Sequence, residues 1–213
     1  MYYNQVNINC QVCIGYRGGV IMIAMEQRLR EALSRRQKQH IIDAKLVPSA
    51  VLVPIYWRQG QYYILFTKRT EKVKEHKGQI SFPGGACREG DRTLVNTALR
   101  ECAEEIGLVP TEVDVLGELD DMLTEISNYI ISPFVALIPW PYQFKVDGWE
   151  TDEIIEVPVS ALRAKEYLRQ QTEIKGGQAV TSYFYHYQGR VIWGATARIL
   201  HQFLDIFSQA MEG

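Results

Sequence analysis

Residues 93–108 read Thr93-Leu94-Val95-Asn96-Thr97-Ala98-Leu99-Arg100-Glu101-Cys102-Ala103-Glu104-Glu105-Ile106-Gly107-Leu108. At about 100° per residue, Val95, Leu99, Cys102 and Ile106 gather on one side of a helix that Gly107 ends, and that side is expected to face a core. Glu101, Glu104 and Glu105 gather on the opposite side, at i, i+3 and i+4. Like charges at that spacing weaken a helix. Arg100 is the only cation beside them in the sequence. The helix alone would read as a solvated acidic face. The excess of negative charge asks instead for a divalent cation such as magnesium or manganese, which prefers carboxylate oxygens and keeps several waters.

The segment before the helix sharpens that reading. Gln79–Ser81 is an extended stretch leading into Phe82-Pro83-Gly84-Gly85, where two glycines permit close backbone approach to a ligand or a metal shell. A plain turn is the simpler account of these four residues alone. Asp91 and Thr93 offer N-cap chemistry for the helix.

Further out, a helix is predicted over Glu26–Gln39. A hairpin is predicted from Ser49–Trp57 and Gln61–Lys68 around Arg58-Gln59-Gly60. Strands follow at Val113–Leu119 and Ile130–Ile138, then a loop over Pro141–Gly148, a strand at Ile154–Val157 and a brief helix from Val159. Ser182–Tyr187 and Arg190–Trp193 form a second hairpin around Gln188-Gly189. Ala195–Gln209 closes the chain as an amphipathic helix. Strands interleaved with helices, without repeats or low-complexity linkers, predict one α/β domain with a mixed sheet.

Composition bounds the function. With 213 residues, 46% of them apolar and 23% charged, the chain is of ordinary globular type and long enough for a core without disulfide staples. Twenty-three basic and 25 acidic residues give a formal net charge of −2, which does not attract nucleic acid. The most apolar stretch, Tyr129–Trp140, is too short to span a bilayer and is broken by Ser132 and Pro133. Cysteines at 10, 13, 87 and 102 are too scattered for an extracellular bridge framework, so a reducing cytoplasm is expected. Cys10-Gln11-Val12-Cys13 has no second pair at zinc spacing. Residues 1–24 lack periodicity and any signal-peptide pattern. We expect them to be poorly ordered, with translation beginning at Met22 or Met25, and residues 25–213 to form a single domain with N- and C-terminal helices.

The acidic helix and the segment before it resemble the Nudix hydrolase signature. Its C-terminal half stands here as Arg100-Glu101-Cys102-Ala103-Glu104-Glu105-Ile106-Gly107-Leu108 and matches at every defined position. In the N-terminal half Gly85 matches, Asp91 replaces the usual Glu, and the gap to Arg100 is one residue longer. Upstream, Leu65-Phe66-Thr67-Lys68-Arg69-Thr70, Lys74, Gly78 and Phe82-Pro83-Gly84-Gly85 resemble a second motif that marks the coenzyme A pyrophosphatase branch. Lys74 stands where that branch has Arg, and Thr70 where it has a smaller residue. Val191–Arg198 is also similar to that branch, and the general resemblance runs from about Ser49 to Phe207.

The resemblance implies the Nudix α/β/α sandwich with a mixed central sheet. It also implies metal-dependent hydrolysis of coenzyme A or an acyl-CoA to 4′-phosphopantetheine and adenosine 3′,5′-bisphosphate. Glu101, Glu104 and Glu105 would hold magnesium or manganese, neutralise the diphosphate and lower the pKa of a bound water. Gly84 and Gly85 would complete the shell or approach the substrate. Arg100 would orient the glutamates by charge-assisted hydrogen bonds. Arg69, Lys74 and, more weakly, Lys77 are candidates to meet phosphate, with surface loop cations as the plain alternative. Glu101 is the candidate general base, with Glu125, Asp152 and Glu153 as rivals. Trp57, Trp149 and Trp193 could stack on adenine but are more often packing residues. His76 and His186 read as structural or solvated. Two alternatives are weighed: a Nudix hydrolase of ADP-ribose, a dinucleotide or an oxidised nucleotide, and a catalytically silent nucleotide-binding module. The second ranks last because all three glutamates are present. The implied partner is a small molecule, with neither nucleic acid nor membrane, and a homodimer is left open.

Overall fold

The computed structural model describes residues 25–73, 76–124 and 128–212, so the expectations for residues 1–24, Lys74 and Glu125 lie outside it. Val47–Arg58 (β1) and Gln61–Arg69 (β2) form the expected antiparallel hairpin, in register from Ile55–Ile64 to Arg58–Gln61. Gln59 and Gly60 turn it with φ of 50° and 82°, the paired positive angles of a two-residue hairpin loop. β1 also pairs in parallel with Tyr129–Leu137 (β7), which makes the sheet mixed. Ile80–Ser81 (β3) and Thr151–Pro158 (β8) join β2, while Gly84–Ala86 (β4) joins the first half of β1. Asp114–Glu118 (β5) and Met122–Leu123 (β6) join β7.

β1 is apolar on both faces because both are covered. On one face Ala50, Leu52 and Tyr56 meet Ala98, Cys102 and Ile106 of helix α2 (Leu94–Ile106). On the other, Val53 and Ile55 share a core with Leu29 and Leu33 of helix α1 (residues 25–35). Leu200, Phe203 and Phe207 of the last helix, Gly194–Glu212, complete that core. This is the helix–sheet–helix layering that the resemblance implied. Between β8 and the last helix lie a short helix, Val159–Arg163 (α3), and a separate antiparallel sheet. That sheet is Leu168–Lys175 (β9), Gln178–Tyr187 (β10) and Arg190–Ile192 (β11); the last helix is α4.

Three expectations need correction. The first helix ends at residue 35 rather than Gln39, because the following residues are held by the β5–β6 corner: Arg36 and the Gln39 N–H bind Asp120, Lys38 binds Glu118, and the Ile41 N–H binds Asp121. β9 was not expected; its sequence Leu-Arg-Gln-Gln-Thr-Glu-Ile-Lys lacks apolar alternation, and its pairing with β10 on one edge alone defines it. On α2, Val95 is only partly buried, and Ala98 takes the core position with Cys102 and Ile106.

Candidate active site

Helix α2 starts at Thr93, whose hydroxyl caps the Asn96 N–H, and ends at Gly107. Its wall is β4. Gly84 pairs with Val51 so closely that a β-carbon there would collide with the β1 backbone. A β-carbon at Gly85 would lie 2.6 Å from the Glu101 carboxyl carbon. The two glycines therefore remove the side-chain bulk that would otherwise fill the wedge between strand and helix, and carboxylates occupy it. Glu101 and Glu105 are each only 5% exposed, whereas the Glu104 side chain is 45% exposed. The acidic side of the helix is thus not a solvated face: two of its three glutamates are buried.

The charge balance also differs from expectation. Arg100 Nη1 reaches Glu101 Oε1 at 2.7 Å and Glu104 at 3.3 Å, and Nη2 donates to the Ala86 carbonyl. Asp91 holds this guanidinium from behind, accepting from Nε at 3.1 Å and Nη2 at 3.0 Å. The Asp91 carboxyl also accepts from the Thr97 hydroxyl and the Arg88 N–H. These donors, Arg100 foremost, hold its pKa well below the usual carboxylate range. Its side chain locks Arg100 and does not cap the helix; Thr93 alone caps it. Arg100 is not the only cation on the cluster: Arg88 Nη1 lies 3.0 and 3.1 Å from the Glu104 oxygens, and Nη2 lies 3.4 Å from Glu101.

Glu105 stands apart. Burial, above all, pushes its pKa up to about 8; the charges of Glu101 and Glu150 add to this, while Arg69 and the Gly84 N–H pull the other way. Beside these side chains opens a cavity of about 730 Å³, with Gly84, Gly85, Arg88 and Glu101 on one wall and Arg69 and Glu150 on another. Arg69, at the end of β2, lies 3.7 Å from Glu150, and its buried Nε has no hydrogen-bond partner among the described residues.

Among the described residues, Arg69, Gly84, Gly85 and Glu101 line this cavity, while Arg100, Glu104 and Glu105 stand beside Glu101 on α2 without being part of its lining. Lys77 is exposed and off the cavity, Asp152 is exposed, and Glu153 pairs with Arg190 at 2.5 Å. His76 bonds Gln79 at the cavity edge. Trp57 packs edge-on against Tyr62, Trp149 is exposed away from the cavity, and Trp193 lines it. Glu150 is the carboxylate that sequence reasoning missed. The β2–β8 register pairs Arg69 with Thr151, and Thr70 binds the backbone of Trp149 and Glu150, which carries this loop to the cavity. Its one sequence signal is the Asp147-Gly148-Trp149-Glu150 turn just before a predicted strand.

No three His, Cys, Asp or Glu side chains among the described residues converge as a ready-formed cation cluster, since Arg88 and Arg100 draw Glu101 and Glu104. The donor set fits a hard divalent ion nonetheless. It is made of oxygen, it includes a buried carboxylate with no cation in contact among the described residues, and Gly85 leaves the room that a β-carbon would fill.

The NUDIX domain family model matches residues 46–196. An uncharacterized Nudix hydrolase NudL of Photorhabdus laumondii is 36% identical over 154 residues, covering 72% of this chain and 81% of that protein. One from Yersinia enterocolitica is 34% identical, covering 82% of this chain and 90% of its own. A MutT/nudix family protein from Enterococcus faecalis shares the fold with a TM-score of 0.52 at 13% identity, over 84% of this chain and 66% of that one. With the glutamate triplet complete and seated against its glycine wall, the chain belongs to the Nudix hydrolase family, beside relatives that bear the NudL name, and is a pyrophosphohydrolase.

Proposed function

We propose that this enzyme hydrolyses the phosphoanhydride of coenzyme A or an acyl-CoA, with magnesium or manganese held by Glu101, Glu104 and Glu105. The observation that carries this reading is Arg69. It belongs to the upstream motif, lines the same cavity as Glu101 and Gly85, and keeps a buried N–H without an acceptor among the described residues. A buried orphan donor on a cationic side chain favours an anionic oxygen as its partner. Lys74, of the same motif, is proposed as a second phosphate contact.

When bound, the divalent ion neutralises the diphosphate and acidifies a water. The protein's own groups do the rest. Water attacks one phosphorus, the bridging P–O bond breaks, and 4′-phosphopantetheine leaves adenosine 3′,5′-bisphosphate. Glu101 and Glu150 are the carboxylates among the described cavity-lining residues, and they join Glu125, which lies outside the described residues, as the proposed acceptors of that water's proton. Arg100 is a positioning residue, fixing Glu101 and Glu104 while Asp91 fixes it. The apolar part of the cavity lining, which includes Phe184 and Trp193, suits a long substrate arm beyond the diphosphate. The free thiols of Cys87 and Cys102 suit a reducing cytoplasm.

The test is product analysis of coenzyme A incubated with the protein and manganese, beside ADP-ribose, dinucleotides and oxidised nucleotides. The two named products, formed faster than those of the rest of the panel, are the expected result. Preference for another member of the panel replaces the substrate and leaves the hydrolase. Glu101→Gln against Glu150→Gln, compared at saturating metal, identifies the proton acceptor by the larger fall in kcat.

A further inference from the structure

The two arginines on the glutamate cluster are held differently. Arg100 is one-quarter exposed and bonded outside the glutamates to both Asp91 oxygens and to the Ala86 carbonyl. Its place is fixed whatever happens to the glutamates. Arg88 is 54% exposed, and the partners of its guanidinium are Glu104, through both oxygens, and Glu101. Its backbone is pinned by the Asp91 carboxylate, so the root of the side chain stays while the head can swing. The residue also lines the cavity with Arg69.

Arg88 lies across both Glu104 oxygens at 3.0 and 3.1 Å, nearer than the 3.3 Å of Arg100, so a divalent ion on Glu104 and the Arg88 guanidinium exclude one another by charge and by geometry. We propose that Arg88 is a displaceable internal counter-ion, which neutralises Glu101 and Glu104 until the divalent cation arrives and then turns into the cavity to pair with an anionic oxygen of the diphosphate. The inference rests on the metal reading above and adds an exchange of partners to it. Before metal binds, Arg88 relieves the repulsion between Glu101 and Glu104. Afterwards it supplies a cation to the substrate at no loss to the carboxylates, which the metal then satisfies.

The test is Mn²⁺ binding to the full chain without substrate, read by the electron paramagnetic resonance of free Mn²⁺, for wild type, Arg88→Gln and Arg88→Lys. Loss of a competing exposed ion pair should tighten Mn²⁺ on the order of fivefold in Arg88→Gln. Arg88→Lys should fall between, because an ammonium cannot bridge both carboxylates as a planar fork does. At saturating Mn²⁺, the KM for coenzyme A should rise in Arg88→Gln. A residue that only props up the loop would not move the two constants in opposite directions. Unchanged or weaker Mn²⁺ binding in Arg88→Gln overturns the counter-ion role, and an unchanged KM overturns the transfer to substrate. Absence of Mn²⁺ binding in all three proteins overturns the metal reading as well. Tightened Mn²⁺ binding with no cleavage of coenzyme A supports the counter-ion and overturns only the substrate, in which case KM is read on whichever diphosphate is cleaved.

Discussion

Two carboxylates shielded from solvent, the buried Glu105 on α2 and the partly buried Asp121 in the β5–β6 corner, are treated in opposite ways. Burial is the largest influence on Asp121 and pushes its carboxyl upward. The Ser132 hydroxyl at 2.6 Å, the Ile41 N–H at 3.1 Å and Lys38 at 3.0 Å outweigh it, and the pKa ends below normal. Glu105 has the Gly84 N–H and, among the described residues, no cation in contact, and its pKa ends at about 8. A buried acid surrounded by donors is a fastener; one left short of them holds free energy in reserve for a ligand. The molecule gives up stability at α2 and recovers it at the corner where the residues after α1 meet β5 and β6.

The sharpest way to break this contrast is Glu105→Gln. Turnover should fall on the order of a thousandfold, while the metal-free melting temperature should hold or rise, since an amide is cheaper to bury than an underpaired carboxylate. A stable wild type and a destabilised variant in a thermal melt would place Glu105 among the fasteners instead. Asp121→Asn should behave the other way. Lys38, its side chain 9% exposed, loses one of its two carboxylate partners, so stability should drop by about 2–3 kcal/mol and the melting temperature by about 4–12 °C, with kcat of the folded enzyme intact. Arg100→Lys keeps the charge but not the fork that joins Asp91 to the glutamates; kcat should fall about tenfold with little change in KM, measured at saturating metal. The smallest effect is on acid unfolding. Because the Asp121 pKa is lowered on folding, its stabilisation is full above the unfolded value of about 3.9 and fades as pH falls through the folded value. Melting temperatures of Asp121→Asn should therefore decline less steeply than wild type below about pH 4.

How much of this was legible follows from the range of each interaction. The β1–β2 hairpin, α2 with its Thr93 and Gly107 boundaries, and the α4 amphipathic face are local, and their residues announce them within one turn or one pleat. The end of α1 and the strand β9 escaped because neither is local. The first is imposed by Asp120 and Asp121 from some eighty positions away, and the second by backbone pairing that its polar side chains do not advertise. In the candidate site, the sequence named the glutamates, the glycines and Arg69, but it misread the charge balance. Arg88 and Glu150 arrive from loops whose course depends on the β1–β4 and β2–β8 registers.

By itself the sequence determined the order and type of the main elements and the presence of an acidic triplet behind a glycine pair, because periodicity and motif spacing are properties of the chain. Only the tertiary structure decided which glutamates lose their water, which arginines answer them, and which distant carboxylate joins them. Those outcomes depend on how closely two backbones approach and on the dielectric that approach creates, and neither is written in any one segment.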